Sequence, residues 1–181
     1  YYMTKTDDIL GFRQPDGSSL TGNAGETLHK GLEFQIGARV AEGLRLDVGY
    51  SYAKHTYEEW SPSQGVNFSG NEQEFAPREV GNAALEYRPP VLLDSSFSLE
   101  WTRVGSYYED ASNDNEYEGH DLFNARALVP VARRFQIFLR LQNIADTRYA
   151  ERASFSAFRG EELAPGLPRT LHAGIRVNGG L

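Results

Sequence analysis

The sequence of 181 residues contains no cysteine and a single methionine. Without thiols there are no disulfides, no thiolate metal sites and no cysteine nucleophile. Positive charge is also short: 18 Lys and Arg against 25 Asp and Glu leave a formal net charge of −7. That argues against a nucleic-acid binder, since neutralising phosphates needs a basic surface. Mean hydropathy is −0.52, and no apolar run approaches the ~18 residues of a membrane helix. A transmembrane helix is thereby excluded, but a transmembrane barrel is not, because its alternating strands average out as polar. No segment shows a sustained helical period. The chain starts Tyr1-Tyr2-Met3, with no charged-then-apolar leader, so the expectation is a piece of a longer protein.

Glycine (18), tyrosine (10) and phenylalanine (10) are plentiful, a mixture that favours strands and turns. From Leu32 to Val40 the even positions are apolar and the odd ones Glu33, Gln35, Gly37 and Arg39 are not. After Ala41-Glu42-Gly43, the residues Leu44, Leu46, Val48, Tyr50 and Tyr52 alternate with Arg45, Asp47, Gly49 and Ser51. A three-residue hairpin loop ending in glycine predicts pairing of Val40 with Leu44 and of Phe34 with Tyr50. Period-two patterns recur at 81–88, 97–102, 123–129, 135–141 and 170–177, and the first dozen residues read as the end of a further strand. The count is seven or eight strands and no helix.

The connections alternate in length: long (Gly11 to Glu26), short (41–43), long (His55 to Ala76), short (Arg88 to Ser95), long (Glu109 to Gly119), short (131–134) and long (Ala150 to Pro165). An outer-membrane barrel segregates short periplasmic turns from long external loops; a soluble meander has no reason to. Aromatics near strand ends suit two interfacial girdles: Tyr87, Phe97 and Phe135 beside short turns, Tyr50, Tyr52, Tyr107 and Tyr149 towards long ones. The polar face carries Glu33, Arg39, Arg45, Asp47, Glu86, Glu100, Arg126, Arg140 and Arg176, which suit a wet lumen. The solvated face of an antiparallel sheet would use the same residues.

Four ordered motifs then become legible: His29-Lys30-Gly31-Leu32-Glu33, Ala76-Pro77-Arg78-Glu79-Val80-Gly81-Asn82, Leu141-Gln142-Asn143-Ile144-Ala145-Asp146-Thr147-Arg148-Tyr149 and Pro165-Gly166-Leu167-Pro168-Arg169-Thr170. The set resembles the C-terminal part of the barrel of TonB-dependent outer-membrane receptors, and the resemblance spans essentially all of residues 1–181. Two features depart from it. Ile144-Ala145 stands where Leu-Phe is usual, and Asn178-Gly179-Gly180-Leu181 ends the chain where an aromatic is expected. The resemblance implies an all-β, antiparallel transmembrane barrel, here a partial one, in the outer membrane of a Gram-negative bacterium. It also implies outer-membrane lipid as a neighbour, with a plug domain and the remaining strands supplied by the rest of the receptor. A TonB-type energy-coupling protein would be engaged through an N-terminal region, and the cargo would be a scarce nutrient, a small-molecule metal chelate such as a ferric siderophore or another iron chelate. Motif residues Gly31, Glu33, Asn143, Asp146, Tyr149, Pro165, Gly166, Pro168 and Arg169 are expected to serve the fold. Asn143 and Asp146 suit backbone bonds of the Asx-turn kind, and Arg169 suits an acidic partner. Two other readings stay open at this point: a small closed eight-stranded barrel (an adhesin or a lipid-modifying enzyme) and a soluble ligand-binding β-domain.

No catalytic set converges. His29, His55, His120 and His172 show no metal-ligand spacing, Ser154 and Ser156 lack a G-x-S-x-G frame, and no cofactor is implied. His172 beside a serine of a neighbouring strand would be the nearest approach to a hydrolase. The segment Asp110 to Asp121 is rich in oxygen ligands, but Asn115 occupies the place where an EF-hand loop requires glycine, so a solvated acidic loop is expected. For ligand capture, aromatics and arginines of the long connections are the candidates: Tyr57, Trp60, Arg152, Phe155, Phe158 and Arg159. Ferric chelates are often anionic, and arginine suits anionic oxygen.

Overall fold

The computed structural model describes residues 1–13, 18–92 and 95–177; the expectation about Asn178 to Leu181 falls outside them. Twelve strands are present and no helix among the described residues: β1 (Tyr2–Arg13), β2 (Ser19–Ala41), β3 (Leu44–Glu59), β4 (Glu79–Tyr87), β5 (Ser96–Val104), β6 (Tyr107–Tyr108), β7 (Glu116–Tyr117), β8 (His120–Ala132), β9 (Phe135–Gln142), β10 (Ala150–Ser156), β11 (Gly160–Pro165) and β12 (Thr170–Val177). Eight of them form one antiparallel sheet in the order β1-β2-β3-β4-β5-β8-β9-β12, while β6-β7 and β10-β11 are separate two-stranded ribbons. Neighbours in the large sheet follow one another along the chain, so it is a meander. It is not closed: β1 and β12 are its two edges.

The hairpin read from Leu32 to Tyr52 is β2-β3, with Phe34 opposite Tyr50 as expected. Its turn is one residue tighter than the alternation suggests. Ala41 pairs with Leu44, and the register shifts between Arg39 and Ala41, so Val40 lies at the irregularity and does not face Leu44. Gly43 has φ +69°, and a Cβ there would lie 2.2 Å from the Arg88 carbonyl oxygen; only glycine meets both demands. The β8-β9 turn repeats the device, with Ala132 opposite Phe135 and a shift after Pro130. Both turns follow Val-Ala.

At the other end the sheet extends further than the long connections imply. β1 and β2 stay paired out to Arg13 opposite Ser19, so most of the stretch Gly11 to Glu26 is ladder and not loop. β3 likewise runs on to Glu59, and the stretch Ala150 to Pro165 is the β10-β11 hairpin. Alternation fades in these stretches while backbone pairing persists.

Side-chain faces follow the period-two pattern. One face carries Leu32, Ile36, Leu171 and Ile175, which are 76, 58, 66 and 68 % exposed, with Phe34, Leu85, Leu99, Ile137 and Leu139 also exposed along it. The opposite face holds a row crossing seven strands: Arg39, Arg45, Glu86, Ser98, Arg126, Arg140 and His172 are successive cross-strand partners. Arg45 bonds Asp47 and Arg126 bonds Glu100 there. An exposed apolar face backed by a charged one inverts the order of a soluble sheet. The buried apolar residues Ala53, Tyr57, Trp60, Tyr107, Ala111, Ala150 and Ala153 all gather at the long-connection end.

Candidate functional site

Three connections meet at that end: residues 60–78, 105–119 and 143–169. They are knitted side by side. Asn71 Nδ2 donates to the Ala111 carbonyl and Asn113 Nδ2 to the Glu72 carbonyl, while Asn113 Oδ1 accepts from the Glu72 amide. Phe75 N–H donates to the Tyr108 carbonyl and Phe155 N–H to that of Glu109. The Tyr107 hydroxyl accepts from the Ala153 amide at 2.8 Å, and the Tyr117 hydroxyl accepts from the Ala150 amide at 3.1 Å. Two small cores result: Tyr57, Trp60 and Ala111 with Phe68 against them, and Tyr107, Ala150 and Ala153 with Val104 and Tyr117.

This packing sorts the candidate ligand residues. Tyr57 and Trp60 are 2 and 3 % exposed, with ring centroids 4.5 Å apart, and the Tyr57 hydroxyl donates to Glu74. They hold the connections together instead of standing at loop tips. Tyr107, expected in an interfacial girdle, is buried in the second core for the same reason. Phe158 lies at the β10-β11 tip and is exposed; its neighbour Arg159 is exposed and pairs with Glu162. Phe155 is half-buried and Arg152 exposed, the Arg152 guanidinium 5.0 Å from the Phe75 ring centre. The structure therefore keeps Arg152, Phe155, Phe158 and Arg159 together on one hairpin and takes Tyr57 and Trp60 into the framework.

The framework also perturbs its carboxyl groups. Burial pushes the Glu74 carboxyl above the ordinary range despite the bond from Tyr57. Glu109 is raised by burial and by the nearby Glu161 and Asp110 charges, and its Oε2 is buried with no hydrogen-bond partner. Asp110 spends its own oxygens on its loop, accepting from Ser112, Asp114 and Asn115, the behaviour of an Asx turn.

The motif residues sit at the joints. Asn143 is buried, has φ +50°, receives the Thr147 amide on Oδ1 and donates Nδ2 to the carbonyls of Thr147 and Leu167. Asp146, at φ +55°, accepts the Arg169 amide, and its other oxygen lies 3.9 Å from the Arg169 guanidinium. Gly166 donates its amide to the Tyr149 carbonyl, and a Cβ on it would lie 2.1 Å from the Tyr149 ring. Pro165 ends β11, and the Pro168 carbonyl accepts from the Thr170 hydroxyl where β12 begins. Gly31 exchanges backbone hydrogen bonds with Tyr1, and Glu33 is exposed on the charged face.

Sequence spacing missed one pair altogether. His29 and His55, directly opposite on β2 and β3, bring their Nδ1 atoms to 2.6 Å, and His29 Nε2 bonds Thr27 Oγ1. Burial and the neighbouring His29 hold His55 below the ordinary histidine value. Met3 is the partner of His29 on β1. Odd-numbered neighbours place all three on the charged face. Only the register, joining residues 26 apart, brings them together.

Comparison with known proteins agrees with this architecture. The family model described as TonB dependent receptor-like, beta-barrel, matches residues 1–144. Among solved structures, the ferric yersiniabactin uptake receptor FyuA from Yersinia pestis superimposes with TM-score 0.78 at 18 % identity, covering 97 % of this chain and 26 % of that one. The siderophore receptor PiuA from Acinetobacter baumannii gives 0.75 at 16 % identity, over 97 % and 25 %. The ferric preacinetobactin receptor BauA, also from Acinetobacter baumannii, gives 0.71 at 20 % identity, over 97 % and 26 %. At such identities the likeness is one of fold, and the chain spans about a quarter of each receptor. The family's members are transporters and not enzymes, and their place is the Gram-negative outer membrane. The exposed apolar face is thus the lipid face, the charged face looks into a lumen, and the knitted connections lie outside the cell. A meander of eight strands with its apolar side outward, matched by the family model over most of its length, belongs to the TonB-dependent receptor-like β-barrel family.

Proposed function

We propose that residues 1–181 form the C-terminal part of the barrel of an energy-coupled outer-membrane receptor, one that imports a ferric siderophore or a similar anionic iron chelate. The observation that carries this reading is the β10-β11 hairpin: Arg152, Phe155, Phe158 and Arg159 stand on one external ribbon, anchored to its neighbour through Tyr107 and Ala153. Guanidinium groups and aromatic rings carried on one ribbon suit an anionic, partly aromatic chelate. The receptors that superimpose on the chain, by their names, take up ferric yersiniabactin and ferric preacinetobactin, which supports the same substrate class. In this reading a plug and the remaining strands complete the barrel, and a TonB-type protein reaches it through the N-terminal region. The open edges at β1 and β12 are where those strands join. They also speak against the small closed barrel, which needs β1 paired with β12.

The test is uptake of radiolabelled ferric chelates by iron-starved cells bearing the intact receptor or its Arg152→Ala/Arg159→Ala variant. The expected result is energy-dependent uptake of at least one chelate and about tenfold weaker binding in the variant, as for a lost charge-assisted bond. Uptake indifferent to iron starvation and to both arginines overturns the reading.

A further inference from the structure

We infer that Arg140, Phe138 and Arg176 form an anion track down the lumen wall, a second station for the cargo beneath the external ribbon; the assignment rests on the import of an anionic chelate. The three residues share one face of the β9-β12 pair. Arg140 lies opposite His172, Phe138 opposite Gly174, and Gln136 opposite Arg176. These even positions are the lumen side, since the odd ones, Ile137, Leu139, Leu171 and Ile175, take the lipid side. The pair runs from Gln142 opposite Thr170 at the external end to Phe135 opposite Val177 at the turn end. Down that length guanidinium, ring and guanidinium follow one another two residues apart, in steps of about 7 Å.

Charge and packing set these positions apart on the wall. Arg45 has Asp47 as its partner and Arg126 has Glu100, but β9 and β12 carry no acidic residue. Among the described residues neither Arg140 nor Arg176 has an acidic partner, and both are exposed. Arg140 is moreover the direct partner of Arg126, and like charges directly opposite one another are destabilising. An anion on the lumen side relieves that pair. Phe138 is an aromatic on the wet face, 37 % exposed. Its ring lies against Gly174, where an added Cβ would come 2.4 Å from it, and Leu128 is its partner on β8.

The occupant that fits is the cargo. The connection from β9 to β12 is the one that carries the β10-β11 ribbon, so the track begins at the ribbon's two roots and repeats its chemistry of arginine and phenylalanine. It runs along the strands, from the external end towards the periplasmic turns, and alternates a charge with a ring. Passage needs several weak contacts in succession instead of one deep site. Guanidinium groups and a ring supply such contacts to an anionic, partly aromatic chelate.

The intact receptor is compared in iron-starved cells with Arg140→Gln/Arg176→Gln, Arg140→Lys/Arg176→Lys and Phe138→Leu, using radiolabelled ferric tris-catecholate and ferric citrate. Surface binding is measured in de-energised cells and uptake in energised ones. The expected result is surface affinity within about twofold of wild type throughout, and uptake about tenfold slower in the glutamine variant, as for a lost charge-assisted contact. Phe138→Leu is slowed as well, and the lysine variant recovers most of the rate. Wild-type uptake by the glutamine variant overturns the track and leaves the import reading standing. Neither binding nor uptake of either chelate by the wild type overturns both. Slower uptake accompanied by a plug that unfolds at lower urea concentration assigns the row to plug contact and overturns the track.

Discussion

At the scale of single residues, Asn143 combines three requirements: burial, a left-handed backbone and three hydrogen bonds to the segment that follows it. Asn143→Ala loses the bonds and strains the backbone, whereas Asn143→Gly loses only the bonds. At about 1 kcal/mol per bond and about 1 for the backbone, alanine is expected to cost about 4 kcal/mol and glycine about 3. Local opening free energies from hydrogen exchange at 143–149 in the receptor check both. Gly166→Ala drives a methyl into the Tyr149 ring, and Tyr149→Ala in the same chain should recover part of the loss, giving a coupling of 0.5 kcal/mol or more in a double-mutant cycle. Asx chemistry and glycine are local properties, so the sequence can put Asn143 and Gly166 forward as fold residues, but their partners Leu167 and Tyr149 come from the structure. Tyr57 and Trp60 were not legible. Their burial depends on contacts such as Asn71 with Ala111, 40 positions away, and no local pattern encodes that.

At the scale of elements, alternation specified the faces of the spanning strands but not their lengths or the turn register at Val40. Adjacent residues of β2 give the sharpest check on the faces. Ile36→Arg puts a charge on the lipid side and is expected to cost about 2–4 kcal/mol, while Gln35→Arg, on the lumen side, stays within about 1. Urea titration of the receptor folded into lipid vesicles measures both. The external layer should respond to pH through its buried acids. The folded Glu74 carboxyl binds its proton more tightly than the unfolded one. Its stabilisation is therefore fully present below the ordinary carboxylate value and is lost as pH rises through the raised one; Glu109 acts in the same direction. Amides of Tyr57 and Gln73, which bond Asn71 and His55, are expected to lose protection as pH rises above the ordinary carboxylate range, after correction for intrinsic rates. Glu74→Gln should flatten most of that slope and leave the part due to Glu109.

At the scale of the whole molecule, the chain is a wall with two open edges and a lipid-facing side. Residues 1–181 expressed alone should therefore associate in detergent, eluting as oligomers by light scattering, because unpaired strand edges recruit one another; a stable monomer would contradict the open sheet. The family was readable from motif order, and the meander from the pattern of connections. The convergence of three connections into one layer was not, since it rests on contacts between segments far apart in sequence. That layer has an evolutionary consequence. Phe158 and Arg159 hang from the tip of a ribbon whose base is secured by Tyr107 and Ala153. Variation at the tip can therefore proceed without disturbing the base, so that, under the proposed function, ligand contacts can change from one receptor to the next while the scaffold is inherited intact.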